Sequence, residues 1–167
     1  QNLIKLVTIS NLEGYYYKPR IDRNILRQHK EGLIALSGCL GGEVSRAVFA
    51  GHYEKAKKIA SEYSKIFGPE NYYIEIQQHL NTPGQNIVTP QLVKLAKELK
   101  LPIVATQDSH YLNTDDAHAH DVLLAVQTGT AIDDKDRLTM RHDDFSLCSP
   151  EEMAEKFKEW PESITNT

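Results

Sequence analysis

The stretch "PIVATQDSHYLNTDD", residues 102–116, changes character twice. Pro102 to Ala105 form a short apolar run of strand type. Polar residues follow, and then Asn113 or Thr114 stands ready to cap a helix whose first turn holds Asp115 and Asp116. Acidic side chains there complement the positive end of the helix dipole. Strand, loop and capped helix in such short order point to an alternating α/β chain.

The same alternation is read outward from this stretch. Upstream, residues 88–99 place Leu92, Leu95, Ala96 and Leu99 at helical spacing. Tyr72 to Ile76 alternate apolar and polar side chains, as a strand with one polar face does. Residues 53–67 carry Ala56, Ile59, Ala60, Tyr63, Ile66 and Phe67 on one helical face, ended by Gly68-Pro69. A helix over 43–50 precedes it, and Leu33 to Leu36 read as a buried strand. Asp22 caps a short helix over 23–30, and residues 2–12 suit a mostly buried helix ended by Gly14. Downstream, a helix over 115–128 gives way to a charged loop at 133–144. Ser149-Pro150-Glu151-Glu152 then opens a last helix with a capping box. Spacings between strands leave room for crossover helices, so the strands are expected to be parallel. Three such strands suggest part of a larger α/β barrel or sheet.

Composition sets the outer limits. The chain has 167 residues, of which 40% are hydrophobic and 25% charged, so it reads as a soluble globular domain. No run approaches the length that crosses a membrane, and the start has no signal-peptide pattern. Its first residue is Gln1 rather than Met, which is expected of a piece of a longer protein. Two separated cysteines, Cys39 and Cys148, make no disulfide framework and suit a reducing cytoplasm. The formal charge of −4 argues against a wide non-specific nucleic-acid surface, yet leaves room for a small basic site.

Candidate chemistry collects after the strands. Cys39 follows the first, His79 the second, and Asp108 and His110 the third. In α/β barrels the strands' carboxyl ends share one rim, so these residues gather although they are far apart in sequence. Residues two apart in extended chain face one side, so Asp108 and His110 can address one cavity. Carboxylate and imidazole suit zinc or manganese, and a thiolate at Cys39 tilts the set toward zinc. Plainer readings stand beside these. Cys39 can be a small buried hydrophobe, and His79 a loop histidine bonded to a backbone carbonyl. His118 and His120 point to different helix faces as capping or packing residues. His29, His52 and His142 read as solvated and Cys148 as packed. Tyr15 to Tyr17, with Lys18 and Arg20, can contact phosphate or a base, or simply pack.

Four motifs then bring a family resemblance. "EGYYYKPRID" (13–22), "GLIALSGCLGGE" (32–43), "VATQDSHYLNTDDAHAHDVLLAVQTG" (104–129) and "FSLCSPEEMAEKF" (145–157) resemble, in order, the PHP (polymerase and histidinol phosphatase) domain of bacterial replicative DNA polymerase III alpha subunits. The resemblance covers nearly the whole chain, residues 1–167, as the C-terminal portion of that domain. It implies a distorted seven-stranded (β/α) barrel with parallel strands, crossover helices and a cluster of divalent metals at the strand ends. It also implies metal-dependent phosphodiester hydrolysis, seen as 3′-to-5′ proofreading in some members. In others the domain is a silent structural module that docks a separate proofreading exonuclease. Cys39, Asp108 and His110 match ligand positions, with Asp108 and His110 bearing the chemistry, and zinc or manganese is the expected metal. His79, Lys18 and Arg20 are candidate substrate or phosphate contacts. Gln107 stands where the family pattern has Asn. The H-x-H motif and the other upstream ligands are absent from this chain, as are the polymerase aspartates. The implied partners are DNA and other subunits of the polymerase III holoenzyme, in the cytoplasm.

Overall fold

The computed structural model describes residues 1–167. The elements are α1 (Asn2–Leu12), α2 (Arg23–Gln28), β1 (Ala35–Leu36), α3 (Glu43–Phe49), α4 (Tyr53–Phe67), β2 (Tyr72–Ile76), α5 (Gln85–Leu99), β3 (Ile103–Ala105), α6 (Ala117–Thr128), α7 (Pro150–Lys156) and α8 (Glu162–Thr165). They form two compact units. Residues 1–74 and 94–102 make the first, and residues 75–93 and 103–167 the second, so the boundaries fall inside β2 and α5.

In the first unit, Asp22 caps α2 as expected, its carboxylate accepting from the amides of Asn24 and Ile25. The α3 helix packs against α4. Each buries an apolar stripe: Val44, Ala47 and Val48 on α3, and Ala56, Ala60 and Ile66 on α4. A fully buried side chain of valine or isoleucine size contributes about 1.5–3 kcal/mol, so these stripes are the main support of the pair. β1 runs parallel to β2, with Ala35 beside Tyr72 and Leu36 beside Tyr73. The amide of Ile74 donates to the carbonyl of Pro102, which continues the ladder beyond β2.

Two expectations for this unit need correcting. The helix at 2–12 is not mostly buried: Leu6 alone is, while Leu3, Ile4 and Val7 are more than half exposed. Its apolar residues run around the whole circumference, and only one stripe of a helix can face the body it packs on. The run at 33–36 is not a buried strand either. Only Ala35–Leu36 pair, at the end of the strand order β1-β2-β3, and Ile34 is 67% exposed.

In the second unit, the amide of Thr106 donates to the carbonyl of Ile76, so β2 and β3 also advance in parallel. All three residues of β3 are buried. The Asn166 side chain donates to the carbonyl of Ile103 and ties α8 to β3. Ser149 and Glu152 form the expected capping box of α7. Asn113 forms another with Asp116, at a 3-10 turn (Thr114–Asp116) leading into α6. The α/β class and the parallel direction therefore stand. Three strands in the order β1-β2-β3 do not by themselves close a barrel.

Candidate functional site

The loop after β3 carries Asp108 and His110, both about one-third exposed. Asp108 sits at φ +56°, a left-handed conformation that non-glycine residues adopt rarely and at a cost of order 1 kcal/mol. The turn brings the Asp108 carbonyl 2.6 Å from His110 Nδ1. A carbonyl only accepts, so Nδ1 carries the proton and, in the neutral ring, the lone pair sits on Nε2. That tautomer is the one a metal or a general base requires. The Asp108 carboxylate lies 4.0 Å from the same Nδ1.

A distant segment holds this loop in place. The amide of His110 donates to the carbonyl of Phe145, and that of Leu147 to the carbonyl of Tyr111. The amide of Phe145 donates to the Tyr111 hydroxyl at 3.0 Å, and Ser109 Oγ donates to the carbonyl of Ser146. The Gln107 side chain donates to the carbonyl of Asp144 and accepts from Lys156 Nζ. Phe145 is buried at the hub, with His79 stacked on its ring at 4.3 Å and His110 edge-on at 5.7 Å.

His79 is 3% exposed, and neither ring nitrogen has a hydrogen-bond partner. Its reading as a loop histidine bonded to a backbone carbonyl is thereby corrected. The stack on Phe145 leaves both nitrogens without an acceptor or donor in reach. Burial lowers its pKa, and the carboxylates of Asp143 and Asp108 oppose that shift. The His79 loop has its own clamp: one carboxylate oxygen of Asp143 accepts from the amides of Asn81 and Thr82 and from the Thr82 hydroxyl. His120, expected to cap or pack, turns toward His110 and Tyr111, with ring centres 5.4 Å from each.

Sequence reasoning passed over one buried ion pair. Asp121 on α6 has no exposed surface, and Arg137 grips it with two nitrogens at 2.7 and 2.5 Å. Thr139 adds a hydroxyl at 2.7 Å. These bonds hold the Asp121 carboxyl well below the usual carboxylate range. The pair anchors the far end of the charged loop onto α6. Only the helical position of Asp121, among Leu124 and Ala125 on the inward face, hinted at it.

The remaining candidates lie in the first unit. Cys39 is exposed rather than buried, on the tight turn closed by the Gly42 amide and the Cys39 carbonyl. A side chain at Gly42 would meet the carbonyl of Ser37 at 2.4 Å, so that turn needs glycine. Lys18 and Arg20 are exposed, and Arg20 lies over the Tyr16 ring at 5.3 Å. Donor chemistry in the chain suits a divalent cation, but no group of three His, Cys, Asp or Glu residues is arranged to hold one. Asp108 and His110 are two donors, one short of the three protein ligands usual at a catalytic zinc.

Comparison with known proteins agrees with the motifs. The family model for the PHP domain matches residues 1–79. The chain as a whole is similar to a segment of proteins named DNA polymerase III subunit alpha. It is 43% identical over 167 residues to that subunit from Borreliella burgdorferi and 41% identical over 167 residues to the one from Treponema pallidum. In each case all of this chain aligns with 14% of the relative. Against Thermus aquaticus the identity is 46% over 153 residues, or 92% of this chain and 12% of the relative. The chain thus spans about one-seventh of the length of the curated relatives it matches. No helix is long and apolar enough to cross a membrane.

Proposed function

We propose that this chain is the PHP-region segment of a replicative, cytoplasmic DNA polymerase III alpha subunit. In the longer protein, the segment contributes Asp108 and His110 to a metal site that hydrolyses phosphodiesters during proofreading. The single observation that carries the reading is the Asp108–His110 turn. His110 presents its Nε2 lone pair there, in a loop fixed by hydrogen bonds to residues 144–147 and Lys156. A bound zinc or manganese ion would supply Lewis acidity and a hydroxide at neutral pH. This chain's residues would hold and orient: Asp108 through its carboxylate and His110 through Nε2. His79 would support the loop from below, and Lys18 and Arg20 would meet phosphate from solvent. DNA and the other holoenzyme subunits are the partners this reading implies.

The test compares the full-length subunit with its Asp108→Asn variant. Metal content measured by mass spectrometry and 3′ excision of a mismatched primer should both fall, while primer extension persists. Equal metal and equal excision would refute the reading. A second reading is a non-hydrolytic module that braces the polymerase and docks a separate exonuclease. It expects no bound metal in either protein and retained binding of the exonuclease subunit by both.

A further inference from the structure

One cleft of the first unit has a composition that the proposed metal site does not use. It lies along α3 and α4, has a volume of about 620 Å³, and is lined by four cations and two carboxylates. The carboxylates are already engaged: Glu43 holds Arg23 at 2.6 Å, and Glu62 lies 3.6 Å from Arg23 and 3.5 Å from Arg27. Arg46, Lys55 and Lys58 make no ion pair and no hydrogen bond through their side chains. The neighbouring Lys57 differs, since it pairs with Glu98 at 2.8 Å. The α4 helix thus turns one lysine to a structural partner and two, a helical turn apart, to the cleft.

This arrangement costs the isolated helix something. Lys55 lies in the first turn of α4, where the helix dipole disfavours a cation. Uncompensated cations concentrated in a concave, partly apolar site raise the local density of anions. Ala47, Ala50 and Ile59 form the apolar part of the lining, and His52 adds a ring to it. Cations for phosphate beside an apolar surface and a ring for sugar and base are the two halves of single-strand recognition. A volume of this size suits one or two nucleotides.

We infer that the α3–α4 cleft binds a nucleic-acid strand through its phosphates, held by Arg46, Lys55 and Lys58. The choice of nucleic acid among polyanions rests on the proposed function. The residues are not those of the metal site, so the two readings fail separately: loss of excision in Asp108→Asn does not bear on this cleft.

The experiment titrates the 167-residue chain into a fluorescein-labelled twelve-nucleotide deoxythymidine strand and follows anisotropy. Saturable binding is expected. The Lys55→Gln/Lys58→Gln variant should weaken it about tenfold or more. It should also reduce the salt slope by about 1.4, which is about 0.7 for each phosphate no longer neutralised. Lys5→Gln/Lys65→Gln, which removes the same charge from residues that do not line the cleft, should leave affinity within about twofold. Circular dichroism checks that each variant is folded. No saturable binding, an equal loss in the Lys5/Lys65 control, or displacement by poly-glutamate as effective as by unlabelled strand would each overturn the inference.

Discussion

Replacing Asp121 by Asn removes the negative partner from a closed site. Arg137 is 9% exposed and would keep only the carbonyls of Ile132 and Leu138 as full acceptors. Removing one partner of a buried pair generally destabilises by about 3–5 kcal/mol. Those two carbonyls, with the amide oxygen of the introduced asparagine, place the expectation at the lower end, about 3 kcal/mol. For a chain of this size that corresponds to a fall in Tm of roughly 6–12 °C. The sign with pH follows from the lowered folded-state pKa of Asp121. Its stabilisation is fully present above the unfolded carboxyl value of about 3.9 and is lost as pH falls through the folded value. Urea unfolding at pH 7 and pH 3, with hydrogen exchange at α6 amides, reads both effects. Asp121→Asn should be much weaker than the parent at pH 7, with the gap narrowing at pH 3. A double replacement, Asp121→Leu with Arg137→Met, should recover most of the loss, because neither charge is then buried alone. A difference below about 0.5 kcal/mol at pH 7 would refute the claim that this pair anchors the loop.

Three further outcomes can be checked. His79→Phe keeps the stack on Phe145 and removes two buried, unpartnered nitrogens, so it should stabilise by about 1 kcal/mol in urea titration. The folded pKa of His79 is lowered, so the parent's stability should also decline as pH falls below about 6.5, and the Phe variant should lack that decline. Asp143→Ala strips the shared acceptor from Asn81 and Thr82. Their amides should then exchange at least tenfold faster by NMR, a loss of about 1.5–3 kcal/mol for bonds to a charged acceptor. Ser149→Ala deletes the hydroxyl cap on Glu152 and should cost α7 about 1 kcal/mol, visible as faster exchange at its first turn.

Local signals are readable wherever one residue decides. Asp22, Asn113 and Ser149 announce helix starts because a short acceptor side chain there can reach free amides; Asp22 and Ser149 do so, while at Asn113 the Asp116 carboxylate accepts from the Asn113 amide instead. The amphipathic stripes of α4 and α5 are equally legible. The strand at 33–36 and the helix at 2–12 differ from expectation in burial, since an apolar run does not say how much of it finds a neighbour. α5 also starts at Gln85 instead of 88, ahead of its own Pro90. For the site, spacing points to Asp108 and His110 as a pair in one loop. Partners far along the chain are invisible to such reasoning. Phe145 beneath His79, Asp143 across from Thr82, and Arg137 against Asp121 are meetings set by tertiary packing, which no local period encodes.

The anchors at Arg137 and Asp143 give the segment between α6 and α7 an uneven tolerance to change. Residues 130–136 are tied mainly to one another and to solvent, whereas residues 137–147 are bound side by side to α6, to the His79 loop and to the Asp108–His110 turn. Insertions before Arg137 should therefore be absorbed as a longer surface excursion. A single residue added between Asp143 and Ser146 would shift the register of every bond to the turn. The timing of folding is affected too: the Asp108–His110 turn cannot reach its final geometry until a segment more than thirty residues later in synthesis has arrived.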